Sequence, residues 1–478
     1  MSASYRRYVA HMTARNPSLA TLSGFLDRQH LTTYRSSVSY IEIGQGVDTK
    51  PQETGCSELV SKVNLGLTKG VVAVVENIQP IDVETFGSAW DIDPFFFCGH
   101  VGSSYNAVED GMPPPLMALP PSRIASQEYF NIHYHNVLDL GDESTIGNMP
   151  YKLALAANIP RIVRRLPAIS GRAIGLARNC CSVLKKNFSN GSLILVDPST
   201  ADITAGTGRT GSNTQFEDIG IRILQVPRRI NIEDFRELPT YSQFPACGSA
   251  DSDSRCSNLR EQLIGLFQET PPNWKTEDPC ILSLIYYPFK LVVAEWMLYS
   301  WLMGRYVKFY EYSFQTAQSR GDHFEHADIP ELHRWRRRSQ QSLHKLRMMR
   351  YFVEYWGEMS PKSIWHQLVL DFQHLEEQIN QHARSLETLN PMNTSLVQLI
   401  DSRKSISQAE DVKRLSFIAL VFIPLSYVTG IFSMAEQYGP GSDRFWIYWA
   451  TSLPIAIVVV CISFMTDSIP KAFRFRRM

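Results

Sequence analysis

The chain lacks net charge, because its 47 Lys+Arg are cancelled by 47 Asp+Glu. That balance gives no global attraction to polyanions, so nucleic acid is not expected as a partner. The eight cysteines (Cys56, Cys98, Cys180, Cys181, Cys247, Cys256, Cys280 and Cys461) form no Cys-x-x-Cys pair and no metal-ligand rhythm. Reduced thiols in a cytosolic domain are the simplest account. No secretory apolar segment is present. The first 25 residues have no acid and carry Arg6, Arg7 and Arg15, which weakly resembles a mitochondrial transit segment but without a clear amphipathic face. No nucleophile–base arrangement or phosphate loop stands out, so no enzymatic activity, no catalytic residue and no cofactor are expected.

Charge is also missing from two stretches near the C-terminus, Leu415–Ser433 and Trp446–Met465. Each approaches the ~20 residues a helix needs to cross a bilayer. Only twelve residues, MAEQYGPGSDRF, join them, so the pair is expected to cross as a hairpin in an integral, two-pass membrane protein. Arg403, Lys404, Lys413 and Arg414 precede the first span, and Lys471, Arg474, Arg476 and Arg477 follow the second. Lys and Arg are retained on the cytoplasmic side, which places both termini in the cytosol. The plasma membrane is expected ahead of the mitochondrial inner membrane. Trp446, Tyr448 and Trp449 open the second span where an interfacial aromatic belt belongs. A third apolar stretch, Cys280–Gly304, contains Lys290, Glu295 and an interrupting Pro288. Charges at mid-bilayer cost about 2.5–3.5 kcal/mol each, so an amphipathic or buried soluble helix is expected there.

The boundaries follow from these features. Residues 1–265 are read as a cytosolic α/β domain, 266–360 as a cytosolic helical region and 361–414 as stalk helices. Transmembrane helix 1 is 415–433, the outer loop 434–445, transmembrane helix 2 446–465 and the basic cytosolic tail 466–478. Strands are expected at Gly70–Ile78, Glu128–Leu140, Ser192–Asp197 and Ile219–Val226, where β-branched residues gather between turn formers. Asp93-Pro94 reads as a helix start, PYKLALAANIPRIVRRL as a helix, Thr240–Asn258 as a solvated loop and Arg334–Trp356 as a long basic helix. Ser360-Pro361 starts a further helix that Asn390-Pro391 breaks or kinks. Beyond Thr394 nothing stops a helix until Ser433, since Pro424 lies where neighbours can satisfy the freed carbonyl. Forty residues make a rod of roughly 60 Å, and Leu396, Leu399, Ile406 and Ala409 give it a seam for partner helices.

Ala419, Ser426, Gly430 and Ser433 are spaced by seven, four and three residues, so they share one side of the first span. Such a stripe packs closely against a helix or faces water in a pore, and close packing is the more economical reading of the stripe alone. Two helices cannot enclose water, so conduction requires several copies around an axis. Each stripe residue then becomes a ring, and Glu436 a ring of carboxylates that concentrates cations. Other signals carry less. GTGRTG (206–211) satisfies Gly-x-Gly-x-x-Gly without the strand-to-helix context a dinucleotide site needs. His133 and His135 share a strand face, read as exposed and polar. His323, His326 and His333 form a cluster without a metal-ligand arrangement, Asp251 and Asp253 sit in the polar loop, and the cations of 334–350 are read as a solvated face or as offsetting acidic surfaces.

Val412–Met434, with Phe422-x-Pro424-Leu425 and Gly430-Ile431-Phe432, followed by a short loop, a second span and a basic tail, resembles the CorA-type magnesium and divalent-cation transporters. It is similar above all to their fungal branch, as are Val75–His100, Leu399–Leu415 and the Trp335-Arg-Arg-Arg helix. The resemblance implies an α+β cytosolic domain followed by a long stalk helix and a two-helix transmembrane hairpin, a CorA-like fold arranged as a homopentamer. Its partners would be the lipid bilayer, copies of itself and divalent metal ions, with the cation as cargo. Ala419, Ser426, Gly430 and Ser433 would line the pore, and Met434, Ala435 and Glu436 would form its entrance. No residue is assigned as a regulatory metal ligand. The family signature Gly-Met-Asn sits directly after the first span, and here the corresponding residues are Ser433, Met434 and Ala435. Ala435 has no side-chain oxygen to hold a hydrated ion. The expected function is therefore a transporter or channel for divalent cations, magnesium-type with selectivity open. The alternative is a non-transporting, membrane-anchored sensor or interaction protein with a degenerate pore.

Overall fold

Short runs of β-branched residues set the framework of the N-terminal unit. The computed structural model describes residues 4–28, 34–43, 50–65, 70–102, 120–146, 152–186, 191–198, 203–206, 228–229, 259–268, 270–275, 279–320, 328–358, 363–434 and 443–474. The first helices are α1 (Tyr5–Arg15), α2 (Ala20–Leu26), α3 (Cys56–Asn64), α4 (Pro80–Trp90), α5 (Pro94–Val101), α6 (Pro121–Ser126), α7 (Glu143–Ile146) and α8 (Leu259–Phe267). The long ones are α9 (Ile281–Arg320), α10 (Asp328–Glu358), α11 (Ser363–Ser433) and α12 (Trp446–Arg474). Strands are β1 (Ser37–Glu42), β2 (Gln52–Thr54), β3 (Val71–Glu76), β4 (Tyr129–Asp142), β5 (Lys152–Leu155), β6 (Ile162–Ile169), β7 (Arg172–Lys185), β8 (Gly191–Val196), β9 (Ile203–Gly206) and β10 (Arg228–Arg229). Two compact units result: residues 1–310 with 330–387, and residues 311–329 with 388–478.

In the first unit the described strands make one mixed sheet, ordered β2-β1-β3-β8-β7-β6-β5-β9, with β4 paired to β7 and β10. β3 and β8 run parallel, and the other pairs are antiparallel. Both central strands are apolar along nearly their whole length, as strands covered on both faces must be. Val71, Ala73, Val75, Leu193 and Leu195 join a core with Leu22, Val83, Phe86, Phe96 and Phe97 from the N-terminal helices. The alternate residues Val72, Val74 and Ile194 are equally buried. A smaller core gathers Leu138, Leu140, Leu153, Leu155 and Val163. The strands expected at 70–78, 128–140 and 192–197 form as β3, β4 and β8. The expected strand Ile219–Val226, the loop Thr240–Asn258, Ser360-Pro361 and most of the glycine-rich stretch fall outside the described residues, whereas Gly206 ends β9.

Local chemistry explains the starts and stops. The Asp93 carboxylate accepts from the Phe95 N–H at 2.9 Å, and Pro94 opens α5, the expected cap. Gln79 and Asp82 form a capping box on α4. The expectation of a helix over PYKLALAANIPRIVRRL is overturned, since its described residues give β5, a tight connection and β6. Pro160 cannot sit inside a helix without losing a hydrogen bond. The Leu155 N–H donates to the Arg161 carbonyl at 2.8 Å, closing the hairpin, and the Asn158 side chain donates to the carbonyls of Tyr34 (3.0 Å) and Asn77 (2.9 Å).

The helical layer is aromatic. Phe289 of α9 meets Phe352 of α10 and Phe372 of α11 at 6.4 and 5.2 Å between ring centres, and Tyr306 lies 5.1 Å from Trp335. Phe130 of β4 packs on Phe289 and Phe352. α9 is apolar enough to cross a membrane, yet 61% of its apolar window is buried within the protein. Lys290 pairs with Asp371 at 2.7 Å, and Pro288 lies inside an unbroken helix. At Asn390-Pro391, expected to break or kink the helix, α11 continues from Ser363 to Ser433 without a break. Only the proline nitrogen's own hydrogen bond is forfeited, and the flanking turns carry the helix.

The polar face expected at His133 and His135 is also corrected. His135 is buried, stacked on Tyr299 at 5.0 Å and edge-on to Trp296 at 6.0 Å. Of the basic stretch on α10, Arg338 is buried and pairs with Glu331 at 3.1 Å, while Arg350 reaches Glu376 at 2.9 Å. Deeper still, the Arg161 guanidinium grips the Asp197 carboxylate with two hydrogen bonds of 2.9 and 2.8 Å and also donates to the His100 carbonyl at 2.7 Å. The Cys180 N–H adds a third donor to Asp197 at 2.6 Å. His100 Nδ1 lies 2.9 Å from Ser182 Oγ, to which Asn131 donates at 2.7 Å. This network ties α5, β4, β6, β7 and the end of β8 together.

Two outcomes follow. Asp197→Ala leaves a guanidinium uncompensated in the interior and should destabilise this unit by about 3–5 kcal/mol, read from denaturant unfolding of the detergent-solubilised protein. His100, His133 and His135 are held below the ordinary imidazole range by burial first and then by nearby cations, Arg161 for His100 and Lys345 for the other two, with His133 pushed down to about 3. The unfolded chain therefore takes up protons below about pH 6.5 that the folded unit refuses. Stability is complete above that pH and falls below it, by up to ~1.4 kcal/mol per histidine per pH unit. The unfolding midpoint should be lower at about pH 5 than at about pH 7.5, and His135→Phe should narrow the gap. Equal midpoints would contradict this assignment.

Candidate pore helix and membrane hairpin

The outer third of α11 is built of side chains that water would not select. Phe422, Ile423, Tyr427 and Ile431 are 63, 68, 71 and 50% exposed, and over Lys404–Ser433 only 6% of the apolar window is buried. α12 begins with Trp446 and Trp449, 66 and 57% exposed. Its apolar described portion runs Trp446–Val459, and its helix continues to Arg474, past the expected span end at Met465. The two helices therefore present long apolar surfaces that the described residues of the second unit leave mostly uncovered.

The two helices meet through few contacts. Val428 and Ser452 are buried, at 6 and 2% exposure. Thr429 Oγ1 lies 3.1 Å from the Tyr448 hydroxyl, and the Phe432 and Tyr448 rings meet edge-on at 5.8 Å. Val428, Thr429 and Phe432 thus define the side of α11 that α12 covers. The expected stripe is elsewhere. At about 100° per residue, Ala419, Ser426, Gly430 and Ser433 fall within an arc of about 60°, centred about 120° away from the α12-facing side. All four are exposed in the single chain, and a Cβ added at Gly430 would meet nothing within 4 Å. Close packing inside the hairpin therefore does not use these small residues, which leaves contact with other copies, with water or with lipid.

Their chemistry is modest. The Ser426 hydroxyl donates to the Phe422 carbonyl at 2.8 Å, so its lone pairs remain for a passing ion or water. Pro424 has no N–H, which takes away the helical donor of the Leu420 carbonyl. Met434, the residue after α11, is 90% exposed, while Ala435 and Glu436 lie outside the described residues. Of the stalk seam, Ile406 and Ala409 are exposed, and nothing is described of the Leu396 and Leu399 side chains. His333 is exposed on α10, with His323 and His326 outside the described residues. Among the described residues no group of three or more His, Cys, Asp or Glu is placed to hold a metal ion. Sequence reasoning missed the hairpin contact itself: it gave Val428 no role and put Tyr448 in an aromatic belt. The available signal was a hydroxyl at Thr429 and another at Ser452 within otherwise apolar helices.

A cysteine-substitution series, with labelling read at the introduced position by mass spectrometry, tests which side of α11 meets water. In a Cys461→Ser background reconstituted into liposomes, Ser426→Cys and Gly430→Cys should react with a membrane-impermeant thiol reagent, and Leu420→Cys and Tyr427→Cys, about 90–110° from the centre of the stripe, should not. The reverse pattern would place the stripe in lipid or in dry contact.

Comparison with known proteins adds to this geometry. Residues 321–466 match the family described as CorA-like Mg2+ transporter protein. Among solved structures, the chain is similar to the complete structure of the CorA magnesium transporter from Methanocaldococcus jannaschii, at 10% identity and a TM-score of 0.34, covering 90% of this chain and 98% of that one. It is also similar to the full-length CmaX protein, at 11% identity and a TM-score of 0.36, covering 91 and 98%. No curated protein matches the chain.

Proposed function

From the match of residues 321–466 to the CorA-like Mg2+ transporter family, we propose that this integral membrane protein conducts divalent cations through a path enclosed by the α11 helices of several copies. The observation that carries this reading is the uncovered stripe Ala419, Ser426, Gly430 and Ser433, which α12 leaves free while covering another side of the same helix. Both termini are read as cytosolic, with the flanking cations holding the orientation. A ring of five copies, as the resemblance implies, would turn each stripe residue into a ring. The path is then lined by hydroxyls and small side chains, and the entrance by Met434, Ala435 and Glu436.

Selectivity follows from the mouth. Magnesium holds its water shell tightly, and an amide ring can bind it through those waters. Ala435 offers no such group, so discrimination rests on the Ser433 hydroxyls and on carboxylates from Glu436. Relaxed selectivity among magnesium, cobalt, nickel and zinc is the expected consequence. The second reading, a membrane-anchored sensor with a silent pore, is favoured by that same missing amide.

Flux from purified protein in liposomes decides between them. Uptake of at least one divalent ion driven by an inside-negative potential is expected, and Ser433→Trp should abolish it by filling the path. Silence across the four ions would favour the anchored sensor, and flux that survives Ser433→Trp would remove the first span from the path.

A further inference from the structure

The contact between Thr429 and Tyr448 has a determined polarity. Thr429 has one hydroxyl hydrogen, and it goes to the Leu425 carbonyl at 2.8 Å. The 3.1 Å contact to Tyr448 is therefore made with the phenol donating and Thr429 accepting. The phenol is held in place by its neighbours: Phe445 stacks on the Tyr448 ring at 5.8 Å and 14°, and Phe432 meets it edge-on at 5.8 Å. A polar group between two apolar helices has few other partners to turn to.

Position gives this bond its consequence. Thr429 immediately precedes Gly430, and Ser433 lies one turn further on, the last residue of α11. A glycine lowers the stiffness of a helix, so the turn carrying Ser433 is held less firmly by its own backbone than the turns before it. The second helix supplies the missing constraint through Tyr448. We propose that the Tyr448–Thr429 hydrogen bond is a latch that sets the rotation of the last turn of α11 and thereby aims Ser433 at the axis. Tyr448 is a positioning residue for the pore mouth, acting through Thr429 and touching no ion. This inference rests on the pore reading above.

The test reads the aim of position 433 directly. Full-length protein carrying Ser433→Cys and Cys461→Ser is reconstituted into liposomes and oxidised, and the disulfide formed between copies at position 433 is quantified by mass spectrometry. Adding Tyr448→Phe or Thr429→Val should lower that yield about threefold, the population change that accompanies loss of a typical membrane hydrogen bond. Thr429→Ser keeps the accepting hydroxyl and should restore the yield, which a general loosening of the hairpin would not do. In the background without the Ser433→Cys change, Tyr448→Phe should also alter the ratio of magnesium to cobalt flux. A disulfide that forms in the parent and is unaffected by Tyr448→Phe overturns the latch while leaving the inward stripe standing. No disulfide in the parent overturns both.

Discussion

Everything about the C-terminal part depends on apolar surface that the single chain leaves uncovered. At about 25 cal/mol per Å2, side chains such as Phe422, Ile423 and Tyr427, each more than half exposed, would make this part insoluble as it stands. Lipid relieves most of that cost. It does not account for the stripe of Ala419, Ser426, Gly430 and Ser433, which offers lipid little contact and water little polarity. Small side chains on one side of a greasy helix make sense where another surface, protein or a water column, comes close to the backbone.

The N-terminal unit shows the opposite solution to a similar problem. α9 is also long and apolar, but its window is 61% buried beneath aromatic residues from α10 and the first part of α11. Its charges are handled locally, Lys290 by Asp371 at 2.7 Å. Hydropathy alone does not separate the two helices. What separates them is how much partner surface the fold supplies, and in α11 beyond the stalk the described residues supply it only on the α12-facing side. The Arg161–Asp197 pair, with the Cys180 N–H donating to Asp197 and Arg161 donating to the His100 carbonyl, plays the equivalent part inside the sheet, where one buried charge is answered by another.

Much of this was legible from residues. The strands β3, β4 and β8 announce themselves by β-branched runs, α5 by Asp93-Pro94, and the apolar ends of α11 and α12 by their lack of charge. Errors arose where local pattern and tertiary context disagree. Residues 150–166 contain apolar positions that suit a helix, but Leu153 and Leu155 belong to alternating strand positions, and Pro160 marks the turn between β5 and β6. His133 and His135 look like a solvated face because imidazole is usually exposed, yet the aromatic wall of α9 covers His135. At Asn390-Pro391 the propensity for a break was real but too small against the continuous helix on either side. The stripe was visible from spacing alone, whereas its separation from the α12-facing side required knowing that Val428, Thr429 and Phe432 make the hairpin contact.

The central claim is that the stripe of α11 turns toward a shared axis, and distances between copies test it most directly. Spin labels introduced one at a time at Ser426 and at Tyr427, about 100° apart on the same turn, in lipid nanodiscs report the separation between equivalent positions of neighbouring copies. The account predicts shorter distances at Ser426 than at Tyr427. Shorter distances at Tyr427, or no dipolar coupling at either position, would contradict it.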